Sequence, residues 1–192
     1  MFGNQGALYK NAMTWWDHRT ESVWSQVTGE ALYGPLRGIR LRHIPAAVET
    51  WEAWRDSHPH TLVLETGDVG GEPDTRDFVI GIRMPAEAAA FRFPYVAERG
   101  VVNDVVGGIP VAVYARQDRV IRVFVRRVSG RIVTLEESAG RLVDPISGTV
   151  WHALTGQGLS GPLAGQPLAP LAWASSYDWA WVDFYPEARI VG

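Results

Sequence analysis

The side chains able to do chemistry at neutral pH are few and scattered. Asp17 and His18 adjoin in TWWDHRTES, Gln26 follows in SVWSQV, and His58 closes TWEAWRDSHP. A carboxylate beside an imidazole, with an amide and a second imidazole, can orient a small molecule or move a proton. The same residues also have a plain structural reading, since an Asp opening a turn bonds its own backbone two residues on. His58 and His60 in HPH offer two imidazoles to a metal, but two ligands do not make a site. A histidine there more readily faces the C-terminal end of a helix. DVGGEPDTRD is acidic enough to wrap a calcium ion, yet lacks EF-hand spacing. Asn103 and Asp104 in VVNDVVGG read as loop residues between strands, where Asn and Asp usually build a turn. No phosphate-binding loop with lysine, no GxGxxG after a strand, no HExxH and no GxSxG occurs. No catalytic role, cofactor or metal site is therefore assigned.

What singles out Asp17, His18, Gln26 and His58 is a repeat. Shifting the chain by 127 positions lays residues 13–64 on 140–191 without a gap, with 16 identities in 52 positions. Composition alone predicts about 3 to 5, so the match reads as a duplication. Asp17 falls on Asp144, Trp24 on Trp151, Gly34-Pro35-Leu36 on Gly161-Pro162-Leu163, and Trp54 on Trp181. Shared residues read as turn, bend and core. Copy 1 keeps polar groups that copy 2 lacks: His18 faces Pro145, Gln26 faces Ala153, and His58 faces Tyr185. A duplicated fold that keeps its site in one half would keep it there.

The elements that must position these residues follow from pattern. Each copy predicts a strand (AMTWWD or GRLVD), a turn, and a second strand (SVWSQV or TVWHAL). Gly148 suits a left-handed turn residue, whereas Glu21 in its place predicts a different turn in copy 1. Gly-Pro-Leu-x-Gly then bends the chain into a short strand, IRLRHI or QPLAPL. A helix follows in AAVETWEAWRDSHP, with a weaker counterpart in SSYDWAWVDFYP, and TLVLE or ARIVG closes each copy as a strand. Between the copies, Glu65–Asp77 reads as a solvated loop, and FVIGIRM, AAAFRF, PVAVYAR, VIRVFVRR and RIVTLE read as strands of a linking antiparallel sheet. The expected fold class is α+β, mainly β. One domain over 1–192 holds a duplicated β-turn-β-β-α-β unit with pseudo-twofold symmetry, copies at 13–64 and 140–191, and linking strands at 65–139.

Bulk composition excludes several functions. Net charge is -3 and sequence pI about 5.9, so no basic face recommends nucleic acid as a partner. No apolar run is long enough to span a membrane, and MFGNQGALYKNAM lacks the pattern of a signal peptide. The absence of cysteine removes disulfides, thiolate nucleophiles and cysteine-ligated metals. Nine tryptophans are many for this length, and most are expected in the core.

The segments FGNQGALYKNAMTWWDHRTESVWSQ, GEALYGPLRGIRL, TWEAWRDSHPHTLVL, GVVNDVVGGIPVAVY and RLVDPISGTVWHALTGQGLSGPLAGQPL resemble the bacterial domain-of-unknown-function 3179 family over most of the chain. The resemblance implies an exported or cell-envelope protein with no established activity. It makes the Asn103–Asp104 segment the middle loop to suspect. It also implies a strand pair with a Cys-Pro-Leu-Cys motif ahead of FGNQGALY, where Met1 stands here, and a longer Glu65–Asp77 loop. The expected function is a non-catalytic extracytoplasmic binding or structural module, with a groove between its halves for a small ligand or protein partner. The alternatives are an enzyme with a polar or metal site on copy 1, and a truncated fragment that pairs with a second chain, as a homodimer, through an open sheet edge.

Overall fold

A computed structural model describes residues 1–63 and 74–192. The chain opens as an antiparallel meander of β1 (Phe2–Tyr9), β2 (Ala12–Asp17), β3 (Ser22–Ser25) and β4 (Ala31–Tyr33). Alternation drives it: Ala12, Thr14 and Trp24 turn inward, while β1 lies exposed along nearly its whole length. After the Gly-Pro-Leu bend, residues 39–50 run extended to α1 (Trp51–Ser57), which starts where the Thr50 hydroxyl accepts the Ala53 N–H at 3.3 Å.

The middle of the chain supplies β5 (Phe78–Arg83), β6 (Ala88–Arg92), α2 (Phe93–Arg99), β7 (Val101–Val106), β8 (Ile109–Ala115) and β9 (Ile121–Val125). Gly107 (φ 54°) and Gly108 (φ 80°) form the two-residue turn between β7 and β8, where both positions need left-handed backbone. A small hairpin, β10 (Arg127–Val128) and β11 (Arg131–Ile132), leads to a second meander. This is β12 (Glu136–Ser138), β13 (Arg141–Val143), β14 (Val150–His152) and β15 (Gly158–Ser160). The chain ends with β16 (Ala169–Pro170), β17 (Ala174–Tyr177), α3 (Asp178–Phe184) and β18 (Arg189–Val191).

Two central four-stranded sheets, in orders β16-β9-β8-β7 and β17-β5-β6-β18, enclose the main core of Ile80, Ile82, Phe91, Phe93, Val96, Val111, Val113 and Val123. The second meander closes over Tyr114, Phe124, Leu135, Leu142 and Trp151. The first meets α3 and the β5–β6 hairpin around Ala12, Val27, Val79 and Trp181. Such β-branched and aromatic strand faces bury apolar area on both sides of a sheet, which stabilises it at about 25 cal/mol per Å².

The mainly β architecture agrees with the sequence reading; several details do not. The third strand of each copy, β4 or β15, precedes the Gly-Pro-Leu bend rather than following it, because Gly38 N–H and Gly165 N–H turn back to Ala31 and Gly158. After the bend only an isolated Glu30–Arg40 bridge and the short β16 form. The first helix is shorter than its apolar spacing suggested, since Thr50 caps it late. ASSY is a strand, with α3 starting at Asp178. Thr61–Val63 are not a strand, and Leu64 and most of the Glu65–Asp77 loop fall outside the described residues. RIVTLE shortens to β11. VVNDVV is strand β7, not a loop. The middle strands divide between two sheets instead of forming one, and β18 pairs with β6 in parallel. Glu21 takes φ 54° beside Gly148 at 71°, and both N–H groups reach the preceding Asp carbonyl at 2.8 Å. The two turns are thus alike despite the different residues.

Candidate ligand-binding site

Extended residues 46–50 lie across the end of β9. Val48 and Ile121 exchange N–H···O bonds of 3.4 and 2.9 Å. The indole N–H of Trp173 donates to the Ala46 carbonyl at 2.9 Å. These contacts close one side of a cavity of about 360 Å³, within the range that admits a small ligand. Val48, Glu49 and Thr50 form one wall, and Trp173 and Ser175 face them. Phe78, Phe93 and Ile121 form the floor, with Thr75 and Asp118 at the rim.

The acidic groups of this cavity are paired, and Arg119 also lines it. Glu49 meets Arg122 at 2.6 Å, with side chains only 9% and 7% exposed. The guanidinium also donates to the carbonyls of Leu154, Val48 and Ile121 at 2.7, 2.7 and 2.8 Å. Burial leaves the Arg122 pKa below its ordinary value, opposed by the neighbouring Glu49. Asp118 at the rim is engaged by Arg116 at 2.6 Å. What the cavity offers a ligand is therefore aromatic surface from Phe78, Phe93 and Trp173, hydroxyls from Thr50, Thr75 and Ser175, and the Arg119 side chain.

Beyond Glu49 lies a more open cleft of about 620 Å³, lined by Trp54, His58, Arg122, His152 and Thr155. His58 stacks on Trp54, 3.8 Å between ring centroids and 11° between planes, and its Nδ1 lies 3.0 Å from the Ser57 hydroxyl. Thr155 N–H donates to His152 Nδ1 at 3.3 Å.

The comparison that bears on identity is a family model. The model for DUF3179, a protein family of unknown function, matches residues 1–78 and 70–188. The chain belongs to the DUF3179 family. No curated protein and no solved structure is significantly similar to it. In this DUF3179 member the residues selected from sequence sit on separate elements. Asp17, 9% exposed, accepts the Arg19 N–H at 2.9 Å and the Thr20 hydroxyl at 2.7 Å, and these bonds lower its pKa. It holds the β2–β3 turn as Asp144 holds the β13–β14 turn. His18 is exposed and lies against Gly3, where an added Cβ would come within 2.8 Å of its Nε2. Gln26 lines a shallow depression with Phe2, Trp15, Trp24 and His43.

Asn103 spends its amide on Leu135, accepting its N–H at 2.9 Å and donating to its carbonyl at 2.7 Å. Asp104 accepts from Arg189 at 2.7 Å. Of these candidates only His58 borders the cavity described above, through the shared Glu49. Among the described residues no group of three or more His, Cys, Asp or Glu side chains could hold a metal. Comparison of the copies for polar residues gained in copy 1 overlooked the aromatic gains in copy 2. Trp173 faces Ala46 and Tyr177 faces Thr50, a signal present in the same alignment.

Proposed function

We propose that this DUF3179 chain is a non-catalytic, extracytoplasmic binding module built by internal duplication, and that its ligand occupies the cavity between residues 46–50 and 173–175. The observation that carries the reading is the Trp173–Ala46 hydrogen bond. It joins positions 127 apart, the offset that aligns the two copies, and it closes the cavity. Ser175 and Val48, also matched positions, line that cavity from opposite sides. The duplication is further supported by α1 and α3, which match residue for residue at the same offset. In both, the C-cap N–H returns to the matched tryptophan, Trp54 or Trp181.

The test is ligand-observed NMR against a library of small neutral molecules, with Ser175→Trp as the cavity-filling variant. Ligands that bind the natural chain are expected to lose binding to the variant. Equal binding to both proteins sinks the assignment. His58 and its cleft enter this reading as the neighbouring wall behind Glu49, not as a proton-transfer site.

A second reading, that another polypeptide completes the fold, has one observation behind it. Helix α3 buries Ala180 and Trp181, whereas α1 buries no residue and leaves Trp51 50% and Trp54 37% exposed. Light scattering of the purified chain tests it: a stable dimer supports it, and a monomer across the micromolar range removes it.

A further inference from the structure

The chemistry of the ligand follows from what continues beyond the cavity, and it rests on the binding-module reading above. Phe78, on the cavity floor, meets Tyr177 edge to face at 5.7 Å and 85°. Tyr177 lies parallel to Trp179, 5.4 Å between centroids and 6° between planes. Tyr177 is 38% exposed and Trp179 46%. A row of aromatic rings thus leads out of the cavity from Phe78 to the surface of α3.

Leaving such rings in water forfeits the stabilisation their burial would give. The fold does not require Tyr177 and Trp179. The matched positions in copy 1 are Thr50 for Tyr177 and Glu52 for Trp179, and the same extended N-cap backbone opens α1 without the rings, at φ -67° and ψ 150° for Thr50 against φ -81° and ψ 149° for Tyr177. The tryptophan that does pack this helix is Trp181, 1% exposed. Nor is the row built for a charged ligand. Glu49 and Asp118 are taken by Arg122 and Arg116, and Asp178, between the two exposed rings, is paired with Arg92 at 3.0 Å. What remains is flat apolar surface interleaved with the hydroxyls of Thr50, Thr75 and Ser175, beside the Arg119 side chain, whose N–H groups suit a neutral hydroxyl edge.

A complementary ligand presents repeated flat apolar faces, uncharged hydroxyl edges and enough length to leave the cavity. Pyranose rings meet those terms: their C–H faces stack on aromatic rings while their hydroxyls bond at the edges. We propose that the cavity and its aromatic row bind a neutral oligosaccharide. One sugar sits over Phe78 and Trp173, and the following sugars lie along Tyr177 and Trp179.

The experiment is calorimetric titration with cello-oligosaccharides and chito-oligosaccharides, from monosaccharide to hexasaccharide. Affinity is expected to rise with length and then level off in at least one series. Trp179→Ala, a change at an exposed position, is expected to weaken the longer sugars about tenfold and leave the shortest bound sugar unchanged. Failure of every member of both series to bind overturns the proposal, as does binding that ignores both length and Trp179. If small non-sugar molecules still bind and Ser175→Trp expels them, the binding module stands and only the sugar assignment falls. Circular dichroism of Trp179→Ala confirms that any loss is not unfolding.

Discussion

Trp173 and Ala46 touch across 127 residues of chain, through an indole N–H···O=C bond of 2.9 Å. Those two positions also face each other when the halves of the sequence are aligned. The bond anchors residues 46–50, which are also tied by the Val48–Ile121 bridge with its long 3.4 Å arm and by Arg122, through the Val48 carbonyl and Glu49. Trp173→Phe keeps an aromatic wall but removes the donor. Stability should fall by about 1 kcal/mol, the net worth of one such bond. Amide exchange at Val48, measured by mass spectrometry, should accelerate far more than exchange in β8. Unchanged protection at Val48 would show that the indole bond does not hold this segment.

Glu49 and Arg122 make a sharper test, because their side chains are nearly dry. Arg122→Met leaves a buried carboxylate and the carbonyls of Leu154, Val48 and Ile121 without their donor. A loss of roughly 3–5 kcal/mol is expected in urea unfolding. Glu49→Met alone should also destabilise, and adding it to Arg122→Met should recover part of the loss. A double-mutant cycle with no coupling would remove the pair as a structural unit.

Gly81 lies under the indole of Trp181, so close that a Cβ there would overlap the Cζ3 and Cη2 atoms of the ring. The backbone of β5 is central and the indole is buried, so neither yields cheaply. Gly81→Ala should cost about 1–3 kcal/mol and alter the near-ultraviolet circular dichroism of tryptophan. Gly108→Ala is the informative contrast. It meets no neighbour, so any cost comes from its φ of 80° alone.

Two groups make stability fall with pH, in separate ranges. Burial raises the Asp144 pKa, but hydrogen bonds from Ser147, Thr134 and Ile146 outweigh it, leaving the pKa below the ordinary 3.8. That stabilisation is complete above 3.8 and is lost as pH falls through the folded value. Burial and the nearby Arg83 lower the His43 pKa from 6.5. The folded state thus prefers the neutral ring, and stability declines as pH falls below 6.5 until the folded pKa is passed. His43→Gln should flatten the unfolding free energy just below pH 6.5 and leave the region under pH 4 sloping. Asp144→Asn should do the reverse. Identical pH profiles for wild type and His43→Gln would refute the histidine's part.

Legibility in the sequence followed locality. Strands β5, β8 and β9 were visible because each is a short apolar run that needs only its own residues to declare it. The β2–β3 and β13–β14 turns were visible through Asp17 and Asp144. Their likeness was hidden at Glu21, a residue that pays for left-handed backbone which glycine adopts freely. Asn103 misled because its turn-forming habit yielded to a partner far away, the backbone of Leu135. The cavity was illegible for a similar reason. Its walls come from residues near 48, 78, 93, 121 and 173, and only tertiary packing brings them together. Nothing short of the fold says that Arg122 and Glu49, 73 residues apart, are paired and buried.

The order in which strands pair also has a consequence in time. Hairpin β5–β6 is flanked by β17 on one side and β18 on the other, both from residues 174–191. During synthesis this hairpin therefore waits with both edges bare while residues 93–173 emerge. Contacts so distant along the chain form slowly, and bare apolar edges invite aggregation. A chain stopped before residue 174 should be handled by chaperones as an unfinished protein, however well its second meander has already closed.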